Sequence, residues 1–293
     1  MNPSSPHSNS QTVANVIARF LKSQGVSRVY GLCGGHIMPI WMALDAAGIR
    51  IVDVRDERAA VYMAHAEADL TGTLGVALVT AGPGVTNAMT GIANAHVSRA
   101  SVLVLSGTPP MAQEHRGALQ DMAHTALLES ITRMARTVRH PDLVLATLYE
   151  SASRAMGHGN EPGPVYLDFP VDVVRSHPSN SVLMDEHFMP VTSPVGMPAL
   201  ADMNAALTLM RQAKRPLVIT GRGAKGAGAA LTQWLTHLGA AYLDTGESRG
   251  LVPSDHPSVV AAMRGQVMGQ ADLVITVGRK LDFQLAYGSP AIF

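Results

Sequence analysis

Four stretches of the 293-residue chain combine residue types and spacings that could do chemistry. In "IRIVDVRDERAAVYMAHAEA", residues 49–68, Glu57 stands where an apolar, β-branched run gives way to an alanine-rich helical pattern. A carboxyl there can donate or accept a proton, or it can simply be a helix-start carboxylate favoured by the macrodipole. In "VTAGPGVTNAMTG", residues 79–91, an apolar run ends in Gly82-Pro83-Gly84, with a helix expected from near Thr86. Such a turn lets a ligand approach the backbone beside free amides; a tight turn that needs two glycines is the alternative. Asn87, in the first helical turn, reads as a ligand contact or as a local bond to the backbone. "YGLCGGHIMPIW", residues 30–41, is a second Gly-rich strand-to-helix turn. His36 there could act as a general acid or base or bond the backbone at the helix start, and Cys33 reads as a small buried residue. "PLVITGRGAKGAG", residues 216–228, sets Gly221-x-Gly223-x-x-Gly226 after a strand, with Asp244 downstream, the outline of a dinucleotide loop. The 12 histidines are scattered, with no helical HxxxH pair, so no metal site is expected on this chain.

These residues need elements that bring them to one place. Helical spacing in "TVANVIARFLKSQG", "IMPIWMALDAAG", "RAAVYMAHAEADLTG", "TNAMTGIANAHVSR" and "HPDLVLATLYESASRAM" alternates with the strand-like "VSRVYGL", "IRIVDVR", "GVALVTAG", "SVLVLSG" and "GPVYLDFP". That alternation predicts an α/β fold: a doubly wound parallel sheet followed by a second, incomplete Rossmann-like α/β domain. In an open parallel sheet the turns after the strands share one edge, where ligands bind, and Glu57 and both glycine turns fall there. Residues 1–10 read as a frayed tail and residues 11–175 as the first domain. Residues 176–200, rich in Pro and Ser with little periodicity, read as a linker, and residues 201–293 as the partial second domain.

Composition narrows the function classes. Apolar residues make up 47% and charged residues 15%, enough to bury a sizeable core. Lys plus Arg equals Asp plus Glu at 22 each, which leaves no electrostatic footprint for nucleic acid or an anionic membrane. A single cysteine excludes an internal disulfide and fits a reducing compartment. No apolar run reaches the roughly 20 residues of a membrane span, so a cytoplasmic protein is expected.

Eight segments together carry a resemblance: "VYGLCGGHIMPIW", "RDERAA", "GVALVTAGPGVTNAMTGIANAHVSRASVLVLSG", "GALQDMAH", "ITRMARTVR", "GPVYLDFPVDV", "RPLVITGRGA" and "ADLVITVGRKLDF". In order and spacing they resemble the thiamine diphosphate-dependent enzymes of the acetolactate synthase and benzaldehyde lyase type. The resemblance implies that the first domain binds the aminopyrimidine half of thiamine diphosphate. Glu57 matches the glutamate that bonds the N1′ atom of that ring. A carboxyl shielded from water can hold a proton near neutrality and hand it over there, and the cofactor then attacks a carbonyl and stores its electrons. Pro83, Gly84 and Asn87 match positions lining the pyrimidine pocket. Gly35, His36 and Gln120 match positions facing the reacting carbon, which makes Glu57, His36 and Gln120 the catalytic candidates. The "GGH" triplet is closer to the "GAH" of benzaldehyde lyase than to the "GGA" of acetolactate synthases, and this points His36 toward a catalytic or substrate-orienting role.

Three departures qualify what the resemblance implies. "MAHAEAD" replaces the usual "AAEGYAR", with His65 at the second glutamate. The segment after "AAMRG" is short by about a helix, against an inherited flavin or nucleotide site. No GDG followed by Asn, the element that holds Mg²⁺ and the diphosphate, is found. The expectation is therefore one subunit of a split carboligase or decarboxylase for small 2-oxo acids or aldehydes, in a hetero-oligomer whose partner chain supplies that element. The alternatives are a non-catalytic regulatory or assembly partner of a full-length homologue, and a nucleotide-binding oxidoreductase using the Gly221 loop.

Overall fold

The computed structural model describes residues 11–192 and 196–293; the tail expected over residues 1–10 lies outside them. The chain divides near residue 195 into two compact units. In the first, the elements run α1 (Val13–Ser23), β1 (Arg28–Leu32), α2 (Met38–Ala46), β2 (Arg50–Asp53), α3 (Glu57–Thr71), β3 (Gly75–Val79), α4 (Pro83–Ser98), β4 (Val102–Thr108), α5 (His124–Leu128), β5 (Met134–Thr137), α6 (Val144–Met156), β6 (Val165–Pro170) and α7 (Val171–Arg175). The six strands form one sheet in the order β2-β1-β3-β4-β6-β5, every pair parallel.

The strands alternate their side chains between two cores, as the period of two requires. Val76, Leu78, Leu103 and Leu105 pack with α1, α2 and α6 on one face. Ala77, Val79, Val102 and Val104 pack with α3 and α4 on the other. Helices on both faces explain why the central strands read as continuous apolar runs. The sheet order turns back between β1 and β3, so the turns after these two strands open onto one crevice.

Two elements differ from expectation. The edge strand β5, "MART", is missed by pattern because it is short and only half buried. Its anchor is polar: Arg136 donates from both guanidinium nitrogens to Glu150 on α6, at 2.6 and 3.3 Å, and Arg154 donates to the same carboxylate at 3.0 Å. The hydrogen bond from Arg136 holds the Glu150 carboxyl below the usual carboxylate range. A depressed carboxylate stabilises the fold above its unfolded pKa and loses that contribution as pH falls through the folded value. Glu150→Gln is thus expected to lower the urea midpoint at neutral pH, and the gap from the parent protein to close below about pH 4. The segment expected as a linker also begins as part of the first unit. Phe188 is buried in its core, the Arg19 guanidinium stacks 3.8 Å above the Phe188 ring, and the Tyr149 hydroxyl bonds the backbone of His187 and Met189.

The second unit carries α8 (Leu200–Gln212), β7 (Pro216–Thr220), α9 (Gly228–Leu238), β8 (Ala241–Leu243), α10 (Arg264–Gln270) and β9 (Leu273–Val277). Its sheet has the order β8-β7-β9, again parallel. Among the described residues no helix is long and apolar enough to cross a membrane.

Candidate functional site

Glu57 is the first residue of α3, but it does not cap the helix. Asp56 is the N-cap, its side chain accepting from the Arg58 amide at 2.9 Å. The Arg58 side chain holds the Asp56 carboxyl down to about 2. With the cap supplied by its neighbour, Glu57 turns inward and is only 8% exposed. Asn87, one turn into α4, donates from Nδ2 to Glu57 Oε2 at 2.5 Å, so the asparagine bonds the carboxylate and not its own backbone. Among the described residues Oε1 has no hydrogen-bond partner.

The glycine turns shape the space around that free oxygen. A Cβ on Gly84 would stand 3.4 Å from Glu57 Oε1 and 2.9 Å from Thr80 Cγ2, so glycine leaves the approach to the carboxyl open. A Cβ on Gly34 would stand 2.2 Å from Thr80 Oγ1, which ties the turn after β1 to the end of β3. Thr80 Oγ1 is buried without a hydrogen-bond partner among the described residues. A buried hydroxyl between two glycines and beside a buried carboxyl can both donate a hydrogen bond and accept one. Nothing in the residue pattern singles out Thr80; only its surroundings do.

His36 and Gln120 meet at the other end of the same crevice, His36 Nδ1 lying 3.1 Å from Gln120 Oε1. An amide oxygen only accepts, so Nδ1 carries the proton of that bond and Nε2 is left for another partner. The His36 side chain therefore bonds Gln120 and not the helix start. A Cβ on Gly107, near the end of β4, would stand 2.6 Å from His36 O and 2.8 Å from His36 Cβ, so only glycine lets the backbone of the turn that carries His36 lie there. Gln120 has φ 62°, left-handed for a non-glycine residue. It fits because Gly82, itself at φ 61°, has no Cβ: one there would stand 2.8 Å from Gln120 Cβ. Strained backbone of this kind costs about 1–3 kcal/mol and collects at sites of function.

The structure thus brings Glu57, Gly84 and Asn87 together and His36 and Gln120 together, with Thr80, Gly34 and Gly82 between them. Pro83 is exposed at the start of α4, which begins there and not near Thr86 because proline suits the first helical position. Gly35 is exposed, with open space where a Cβ would stand. Cys33, expected to be buried, is exposed, its Sγ 3.9 Å from Met38 Sδ.

The Gly221 loop looks different from a phosphate cradle. The Gly221 amide donates to Val277 O at 3.1 Å and the Gly223 amide to Gly278 O at 3.0 Å. Both glycines are needed because the exit of β9 runs over them: a Cβ on either would fall within 2.8 Å of Gly278 or Arg279 atoms. Neither of these two amides is left for a dinucleotide phosphate.

Known proteins resemble the chain in both of its units. Residues 11–127 match the model of the thiamine pyrophosphate enzyme N-terminal TPP binding domain, and residues 203–293 that of the thiamine pyrophosphate enzyme central domain. The chain is 33% identical to 2-hydroxyacyl-CoA lyase 2 of Caenorhabditis elegans, over 93% of this chain and 48% of the relative. It is 32% identical to 2-hydroxyacyl-CoA lyase 2 of Danio rerio, over 97% and 50%. It is 33% identical to 2-hydroxyacyl-CoA lyase 1 of Mus musculus, over 94% and 48%. The chain spans about half the length of these curated relatives. A buried carboxyl at the sheet edge, an opening kept clear by glycine, and two family models that together span most of the sequence make the chain a member of the thiamine pyrophosphate enzyme family.

Proposed function

We propose that the chain is the aminopyrimidine-binding part of a thiamine diphosphate-dependent enzyme that breaks or forms a carbon–carbon bond beside a carbonyl. The carrying observation is Glu57: buried, held on one oxygen by Asn87, and with the other oxygen facing the opening beside Gly84. The free Oε1, the orphan Thr80 hydroxyl and the clearance above Gly84 fit a flat, hydrogen-bonding ring. Thiamine diphosphate, when bound, supplies the electron sink such chemistry needs.

In this reading Glu57 holds a proton at Oε1 and passes it to the ring nitrogen, and Asn87 fixes the rotamer from which it does so. Gly84 and Pro83 form the wall of the pocket. His36, oriented by Gln120, presents Nε2 to the substrate oxygen as a proton donor or acceptor, and Gly35 leaves room for the substrate. The similarity to 2-hydroxyacyl-CoA lyases favours a 2-hydroxyacyl thioester, cleaved to an aldehyde and a one-carbon acyl fragment, over the small 2-oxo acids suggested by the acetolactate synthase resemblance. The diphosphate and its Mg²⁺ are assigned to a partner chain, and the working form to a hetero-oligomer.

Calorimetric titration with thiamine diphosphate and Mg²⁺ tests this. The chain alone is expected to give no saturable heat, and its assembly with a chain carrying GDG followed by Asn to bind saturably. An assembly that binds no cofactor would overturn the reading. Activity that survives Glu57→Gln but is lost when this chain is left out of the assembly would leave only a regulatory or assembly role.

A further inference from the structure

The turn that carries Gly82, Pro83 and Gly84 is held from behind by a buried side chain that the proposed chemistry does not use. His124, at the head of α5, is 1% exposed, and both of its ring nitrogens are engaged. The Gly82 amide donates to Nε2 at 2.8 Å. Nδ1 lies 3.1 Å from Asp168 Oδ2, on β6. A backbone N–H can only donate, so Nε2 must be the bare nitrogen and the ring proton sits on Nδ1, facing the carboxylate. Asp168 Oδ2 also accepts from the Tyr166 hydroxyl at 3.0 Å. Burial, reinforced by the Asp168 charge, pushes the Tyr166 phenol well above its ordinary range, which keeps that hydroxyl a donor.

Asp168 is itself 1% exposed, and its second oxygen, Oδ1, is buried with no hydrogen-bond partner among the described residues. A carboxylate in that position is costly, so what its other oxygen does for His124 calls for an account. Asp168 and Tyr166 set the tautomer, the tautomer makes Nε2 an acceptor, and the acceptor fixes the Gly82 amide. Gly82 has no side-chain cap of its own at the start of α4. Its position decides where Gln120 packs against it and where Gly84 and Asn87 stand relative to Glu57.

We infer that His124 is a positioning residue: a neutral imidazole, locked in its Nδ1–H tautomer by Asp168 and Tyr166, that clamps the Gly82 turn and thereby the wall of the cofactor pocket. The pocket half of this inference rests on the function proposed above; the clamp itself does not.

The test begins with the full chain, its histidines labelled with ¹⁵N. The His124 imidazole is expected to show a protonated Nδ1 and a bare Nε2 near neutral pH. A protonated Nε2, or an even mixture of tautomers, overturns the inference, and this measurement decides even if a variant fails to fold. Two substitutions then separate the clamp from simple packing. His124→Gln keeps an acceptor near the place of Nε2, whereas His124→Asn keeps a donor near Nδ1 and leaves the Gly82 amide bare. Gly82 amide exchange in the full chain is expected to quicken about tenfold or more in the Asn variant and to change little in the Gln variant. Cofactor affinity of the assembly should follow the same order. Equal losses in the two variants, or no change in exchange in either, would refute the clamp. An assembly that binds no cofactor, with the tautomer and exchange results as expected, would sink the proposed function and leave the clamp standing.

Discussion

Glu57→Gln is expected to lower kcat of the assembled enzyme by roughly 10²–10⁴-fold, the range supplied by a positioned proton donor. The substitution is close to isosteric. A glutamine oxygen can still accept from Asn87 Nδ2, as Glu57 Oε2 does now, so the head of α3 and its packing are retained. The lost property is the ability to give up and take back a proton at Oε1. Because a glutamine can still hydrogen-bond to the ring, cofactor affinity should fall much less than turnover, and KM for the substrate should hardly move. That pattern marks a group whose contribution is made in the transition state. Steady-state kinetics on the assembly, with an unfolding curve of the variant chain as control, checks it. Turnover within about threefold of the parent enzyme would remove Glu57 from the chemistry.

The two glycine turns and Glu57 were legible because an α/β sheet leaves little choice about where its turns go. Alternating apolar runs fix parallel strands, parallel strands put their exits on one edge, and "RDE" and "GPG" fall at two of those exits. Less legible was which of several polar residues would turn inward. Asp56 and Glu57 are adjacent carboxylates at one helix start. Only the structure shows that the first caps the helix while the second is buried. Thr80 was invisible because a threonine ending a β-branched run satisfies strand propensity by itself, and its orphan hydroxyl exists only through the approach of Gly34 and Gly84. His124 and Asp168 lie 44 residues apart and meet because α5 packs back toward β6, a separation that no local pattern carries. The Gly221 loop shows a spacing that packing alone also accounts for. Its glycines have the spacing of a phosphate loop, but they are required by the backbone of residues 278 and 279 lying across them.

Gly75→Ala is expected to be among the most damaging single substitutions in the first unit, although it adds one methyl group. Gly75 opens β3 beneath the middle of α3, and a Cβ there would stand 1.9 Å from Ala64 O and 2.7 Å from Ala64 C. Both are backbone atoms, so no rotamer change relieves the clash, and α3 must retreat from the sheet by about 1 Å to restore ordinary contact. Two effects oppose each other. Replacing glycine stiffens the unfolded chain and stabilises by about 0.4–1 kcal/mol. Overpacking costs about 1–3 kcal/mol where side chains can adjust, and about 3 kcal/mol or more where, as here, backbone is the obstacle. The second wins by about 2–2.6 kcal/mol, and for a unit of this size the melting temperature should fall by roughly 4–10 °C. In urea the midpoint should drop with the slope unchanged, since the surface exposed on unfolding is nearly the same. The displacement also reaches the site, because α3 begins with Glu57 and packs its Ala60, Val61 and Ala64 against the sheet and α4. A helix pushed outward carries the carboxyl away from Asn87, so the folded fraction of the variant should bind the cofactor about tenfold more weakly or worse in the assembly. A melting temperature equal to that of the parent chain would mean that α3 rides higher on β3 than the 1.9 Å approach requires, and the depth at which Glu57 is held would have to be drawn again.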